Sequence, residues 1–131
     1  MIVTYQPEQI PIIWLEVEPF VESALERGSA FSKEDIYEGL RKTHFQLWTW
    51  QTPSIKALMV TCIYEKSCLL LLMAGESMSE WKDSLPLVEE WAKDKGCQEL
   101  LIQGRKGWSK VLGFEITGRD SLGLHKMRKA L

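Results

Sequence analysis

The chain has little of what reactive chemistry usually draws on. Only two histidines occur in its 131 residues, His44 and His125, and neither has a Cys, Asp or Glu at ligand spacing. No metal site is expected from that pattern. Three cysteines, Cys62, Cys68 and Cys97, form no metal spacing, and an odd number argues against a disulfide framework. Cys62 and Cys68 flank an expected hairpin and could face each other, but buried thiols in a reducing cytoplasm are the expected state. There is no P-loop and no G-x-S-x-G elbow. The longest apolar run, CLLLLMA at 68–74, is far short of the roughly 20 residues that span a bilayer. No basic segment followed by an apolar block opens the chain, so neither a secretory leader nor a membrane partner is expected.

What remains is an ordinary globular balance, 45% apolar and 26% charged, of a length that makes one domain over 1–131. A net charge of −2 supplies no general pull toward nucleic acid. The charge is uneven, however. Residues 1–100 carry 9 Lys/Arg against 16 Asp/Glu, whereas 101–131 carry 7 against 2. That basic end suits a phosphate-bearing ligand or an acidic partner, and equally a solvated terminus. Six tryptophans are many for this length. Trp48, Trp50, Trp81 and Trp108 are candidates for a pocket rim or partner surface, with core packing as their default role.

Periodicity divides the chain cleanly. Residues 2–5 are β-prone. A 3.6-residue spacing over 8–27 predicts a helix, with Pro11 in its first turn and Pro19 expected to kink or interrupt it. A second helix should begin at Ser32, where Asp35 completes a capping-box pattern. Strands are expected over 45–50, 55–64 and 68–74, the last apolar on both faces as a covered central strand would be. Leu85, Val88, Trp91, Ala92 and Lys95 then mark one helical stripe, with Pro86 in the first turn if Ser84 caps it, and Gly96 as the stop.

The most informative stretch is 98–118, QELLIQGRKGWSKVLGFEITG. A buried strand over 98–103 leads through a Gly104–Gly107 turn into a short helical piece, with Trp108, Val111 and Leu112 on one face. Gly113 stands where a left-handed cap is needed, and Phe114 starts a new strand. A last strand is expected over 122–127. The Leu112–Glu115 step resembles the Leu-Gly-Phe-Glu-like step of the GNAT family, the acyl-CoA N-acyltransferases. The order β-α-α-β-β-β-α-β-α-β-β also resembles a complete domain of that family. The resemblance implies an α/β (α+β) fold, a mixed and mostly antiparallel sheet of six to seven strands with about four helices. It implies, too, a splay between the fourth and fifth strands. A looser likeness, through Gly104–Trp108, is to short GNAT-like proteins of tailed phages and prophages.

In that family the acyl-CoA pyrophosphate rests on the loop after the fourth strand, where free backbone amides and a helix N-terminus favour an anion. The matching residues are Met73, Ala74, Gly75, Glu76, Ser77, Met78, Ser79, Glu80 and Trp81. The resemblance therefore implies cofactor contacts from Met73, Ala74, Gly75, Ser77 and Ser79, with Trp108 at the rim. Only one glycine of the family's Q/R-x-x-G-x-G/A motif is present, and Glu76 and Glu80 oppose phosphate charge. Ser109 occupies the place where many relatives carry a catalytic Tyr, and the central strand has carboxylates only at its ends, Glu65 and Glu76. Ser109 is a poor match for the acid and Glu76 for the base, and both carboxylates read by default as solvated turn charges.

Two readings follow. One is an acetyl-CoA-dependent N-acetyltransferase with a degenerate motif, no metal, and an amine acceptor. The other is a non-catalytic GNAT-like protein, a phage structural or host-interaction component (virion-associated in that case), that has lost the cofactor and keeps a protein partner. Nucleic acid is not an expected partner in either. An oligomer is compatible with both.

Overall fold

The computed structural model describes residues 2–26, 31–51, 54–75, 82–104, 109, 113–120 and 123–131. In chain order the elements are β1 (Ile2–Thr4), a 3-10 turn (Pro7–Gln9), α1 (Ile10–Glu26), α2 (Lys33–Arg41), β2 (Phe45–Gln51), β3 (Ile55–Tyr64), β4 (Ser67–Gly75), α3 (Leu85–Asp94), β5 (Glu99–Gly104), β6 (Glu115–Arg119) and β7 (His125–Ala130). All seven strands join one sheet in the order β1-β2-β3-β4-β5-β7-β6. Every neighbouring pair is antiparallel except β4 beside β5. A parallel pair needs a crossover, and α3 supplies it.

The two faces of the sheet carry separate cores. On one face, Val17, Val21, Ile36 and Leu40 of α1 and α2 pack on Leu47, Leu58, Val60, Leu72 and Ala74. On the other, Leu85, Val88 and Ala92 of α3 pack on Trp48, Met59, Leu70, Leu100, Ile102 and Met127. Strict alternation along β2 and β3 sends successive residues to opposite cores. Trp48 is therefore buried core, donating Nε1–H to Thr61 Oγ1 at 3.0 Å while Thr61 donates to Gln46 Oε1 at 2.9 Å. Trp50 is buried as well.

Local chemistry sets the helix ends. Ser32 and Asp35 form the expected capping box, with Asp35 N–H donating to Ser32 Oγ at 3.1 Å and Ser32 N–H to Asp35 Oδ2 at 2.9 Å. Pro86 falls in the first turn of α3, after Ser84. Lys95, expected on the buried stripe, is exposed just past the helix end. Pro19 does not interrupt α1 either. Leu15, whose carbonyl loses its N–H partner to Pro19, is 81% exposed. Water can take the freed acceptor on that outer side.

The last strand begins three residues later than its hydrophobicity suggests. Asp120 closes a turn in which its own N–H donates to Leu124 O at 2.9 Å and its Oδ1 accepts from Leu124 N–H at 2.9 Å. That turn delays β7 to His125–Ala130, a basic segment with one buried apolar side chain, Met127. Of the short helix expected before Gly113, only Ser109 lies among the described residues, and it is helical. Phe114 N–H donates to Ser109 O at 3.0 Å, the six-residue closure of a Schellman motif. Gly113 has φ of 74° there, as the cap requires, and Phe114 enters the α3-side core.

Gly75 is constrained differently. Its φ is 149°, and a Cβ built on it would stand 2.4 Å from Ala57 Cβ and 2.6 Å from Ala57 Cα. Gly113 has open space around the same position. Gly113→Ala should therefore cost only backbone strain, roughly 1 kcal/mol. Gly75→Ala adds a clash with a paired strand and should cost roughly 2–3 kcal/mol. Urea unfolding of the two variants checks this, and equal losses would contradict it.

A polar clamp ties β4, β5 and β7 at the end where β4 and β5 start. Ser67 Oγ donates to Glu99 Oε2 at 2.6 Å, and Arg128 Nε donates to Glu99 Oε1. The Ser67 hydroxyl, and after it the Arg128 guanidinium, hold the Glu99 carboxyl below its usual range. A carboxylate depressed in the folded state stabilises the fold above its unfolded pKa of about 4.3, and the gain is lost as pH falls through the lower folded value. Glu99→Gln should thus melt lower than the parent at neutral pH. The gap should close as the pH drops below about 4. A gap that stays constant on acidification would show that the clamp does not depend on ionised Glu99.

Candidate functional site

The site is made by a strand that changes partners. β4 and β5 pair at Ser67–Glu99, Cys68–Leu100, Leu69–Leu101 and Leu70–Ile102, and no further. Beyond Leu70, β4 stays with β3 as far as Gly75 opposite Ala57, and β5 stays with β7 as far as Gly104 opposite His125. The two strands therefore separate into an opening, as expected from the family resemblance.

The cause is local. Thr61 pairs with Leu70 and Val60 with Leu72, which leaves Leu71 as an extra residue in β4. A bulge of this kind bends its strand and increases its twist. It also resets the faces. Cys68 and Leu70 enter the α3-side core, Leu71 and Leu72 both lie on the α1–α2 side, and Met73 returns to the α3 side. The turn away from β5 thus costs no apolar burial. From 71 onward, among the described residues, the β5-facing edge of β4 has no strand beside it, and its backbone N–H and C=O groups there have the character of a sheet edge inside the domain.

The residues singled out from the sequence divide three ways. Met73, Ala74 and Gly75 lie on this free half of β4, Met73 and Ala74 buried in opposite cores and Gly75 exposed at its end. Glu76, Ser77, Ser79 and Trp108 lie outside the described residues, as do Glu80 and Trp81. Ser109 is half-buried, and its carbonyl holds the cap before β6. Neither the half of β4 from 71 to 75 nor that of β5 from 101 to 104 carries a carboxylate.

The thiols are not nucleophiles. Cys62 sits across from Leu69 and Cys68 across from Ile63, which places the two on opposite faces, and all three cysteines are free. Burial, with the neighbouring Cys97 and Cys62, pushes the Cys68 thiol up to about 12. Burial raises Cys62 and Cys97 also. Cys68 and Cys97 are core side chains and Cys62 is half-buried, and among the described residues none sits in the electropositive surroundings that activate a thiol. Among the described residues, no group of three or more His, Cys, Asp or Glu side chains could hold a metal, and no helix is long and apolar enough to cross a membrane.

Two features were not legible beforehand. The bulge falls within four consecutive leucines, where every position looks alike. His125 has no ligand-spaced neighbour in the sequence, yet it stands across from Gly104 at the open end of β5, with its Nδ1 buried and, among the described residues, unpartnered. A groove of about 340 Å³ also runs between α1 and α2, lined by Pro11, Trp14, Glu18, Lys33, Tyr37 and Glu38 among others. Within it Lys33 bridges Glu18 and Glu22, and Glu38 holds Arg41 and Lys42.

No family model matches the chain, and no curated protein matches it by sequence. Solved structures do match along its whole length. The PaiA N-acetyltransferase of Thermoplasma acidophilum, in complex with coenzyme A, superposes with a TM-score of 0.71 at 13% identity, over 100% of this chain and 98% of that one. Aminoglycoside 6'-acetyltransferase type Ii gives 0.77 at 11% identity, over 99% and 96%. The ribosomal-protein-alanine N-acetyltransferase of Brucella melitensis gives 0.70 at 15%, over 100% and 99%. These comparisons lend no support to the narrower likeness to phage-encoded proteins. The three structures superpose on this chain over nearly its whole length, parted fourth and fifth strands included in the part of this chain that is covered: the chain has the fold of the GNAT N-acetyltransferases.

Proposed function

We propose that the chain is an N-acyltransferase that takes its acyl group from acetyl-CoA and passes it to an amine. The observation that carries this reading is the opening beyond Leu70, produced by an extra residue in β4 and bordered by unpaired strand edge. An acyl-pantetheine arm is a chain of secondary amides, and it suits a row of free backbone donors and acceptors as an added strand would. Bound there, the cofactor supplies an activated thioester.

The chain's own residues do the rest. Met73 and Ile102 wall the opening on the α3 side and exclude water. Leu71, partly buried against the other core, walls it beneath α1. Cys68 and Cys97 are buried in the α3-side core and Cys62 lies across from Leu69, short of the opening, so the transfer is read as passing directly from thioester to amine. Among the related folds, one is a coenzyme A complex, and the acceptors named range from an aminoglycoside to the alanine of a ribosomal protein. Acetyl transfer is what their names share and what supports this reading, and the acceptor depends on side chains particular to this chain.

The test is binding to the native fold. At 100 times its dissociation constant, acetyl-CoA should add roughly 2.7 kcal/mol and raise the melting temperature by several degrees. Substitution of Gly75 is a poor control because it disturbs the contact with Ala57. Deletion of Leu71 is better. It removes the bulge yet leaves Leu72, Met73 and Ala74 on their native faces. The deletion variant should fold and lose the acetyl-CoA response. A parent melting curve that acetyl-CoA leaves unmoved would return the chain to the non-catalytic reading.

A further inference from the structure

One side chain near the open end of β5 has, among the described residues, no partner for a buried nitrogen. His125 opens β7, and its Nδ1 is buried without a hydrogen-bond partner. Such atoms are uncommon in folded chains and call for a cause.

The register gives its position. Met127 lies across from Ile102, and both belong to the α3-side core. His125 and Gly104, one strand repeat further on, share that face. Ile102 is also the last residue of β5 to pair with β4. The imidazole therefore stands beside the part of β5 that has left β4, about 7 Å beyond the last pair along the strand. Gly104 has no side chain, so β5 places nothing at that level between the ring and the opening.

Among the described residues, the charged groups near His125 are cationic or already engaged, and Asp120 of the preceding turn accepts from Leu124 N–H. Arg119 of β6 is its cross-strand neighbour, and Lys126 follows it on β7. Lys129, on the same face of β7, is held by Glu89 of α3. From β5 the neighbours are Gln103 and Gly104, neither of which titrates. Glu115 pairs with Arg128 on the other face.

We propose that His125 is the proton acceptor of the transfer and meets the amine in the opening; the proposal rests on the acyltransferase reading above. The imidazole takes a proton from the ammonium group. The nitrogen lone pair so freed forms the C–N bond to the acyl carbon while the C–S bond breaks, its electron pair leaving with sulfur. Of the two protons the nitrogen loses, one ends on that sulfur and the other passes to water, both by way of the ring. The unpartnered atom in the free protein is then a contact kept open for substrate.

The chain's two histidines make the test simple. Protein labelled with 15N-histidine has two imidazoles to follow, assigned with His44→Gln. Acetyl-CoA should raise the melting temperature and move the His125 ring resonances, leaving those of His44 in place. His125→Phe should fold as the parent does and keep the acetyl-CoA response. Its thiol release with spermidine, an aminoglycoside and an alanine-ended peptide as acceptors should fall roughly 10²- to 10⁴-fold at pH 7. The acid limb of the rate–pH profile should vanish with it, and His125→Gln should behave alike. A melting temperature that rises while the His125 resonances stay still, or a variant with parental rate and pH profile, would overturn the role of His125 and leave the acyltransferase reading intact. Absence of any acetyl-CoA response would remove both.

Discussion

One extra residue in a central strand is the constraint on which the rest of the molecule depends. β4 satisfies β3 along its whole length and β5 for four residues, and Leu71 intervenes where the second partnership ends. A regular strand would have gone on pairing with both neighbours. The bulge bends β4 away while the faces reset, so Leu72, Met73 and Ala74 all find apolar surroundings. β5 cannot follow, because it is paired with β7 from Glu99 to Gly104.

The closed end of the same strand pair has the opposite design. Ser67, Glu99 and Arg128 hold β4, β5 and β7 together with charge-assisted hydrogen bonds, and Gln98 N–H adds a 2.7 Å bond to Lys66 O. A pair fixed firmly at one end and parted by a bulge at the other is a wedge. Its shape is set by backbone pairing, with side chains lining what the backbone has opened. A site built this way needs few particular residues. That explains how chains only 11–15% identical to this one share its fold over nearly their full length.

Much of this was legible in the residues. Alternation separated the inward sets of β2 and β3, the Ser32–Asp35 pair marked a helix start, and Gly113-Phe114 marked a cap and a core anchor. Each of these depends on neighbours within a few positions, where spacing and steric rules act directly. The readings that missed were those in which hydrophobic spacing alone does not show where an element ends or which side of it meets water. Pro19 is tolerated because its face of α1 meets water, Lys95 leaves the stripe because α3 has already ended, and β7 starts late because Asp120 closes a turn.

By itself, then, the sequence determined the succession of strands and helices, the two-sided burial of β4 and the Gly-Phe cap, because hydrophobic period and backbone sterics are local properties. Only the tertiary structure decided which leucine of four is the extra one, and it decided that Gly75 is held against Ala57 and that His125 lies across from Gly104 at the open end of β5, with a nitrogen that has no partner among the described residues. Those outcomes turn on register between strands far apart in the chain, and register is settled by summed pairing and burial across the whole sheet.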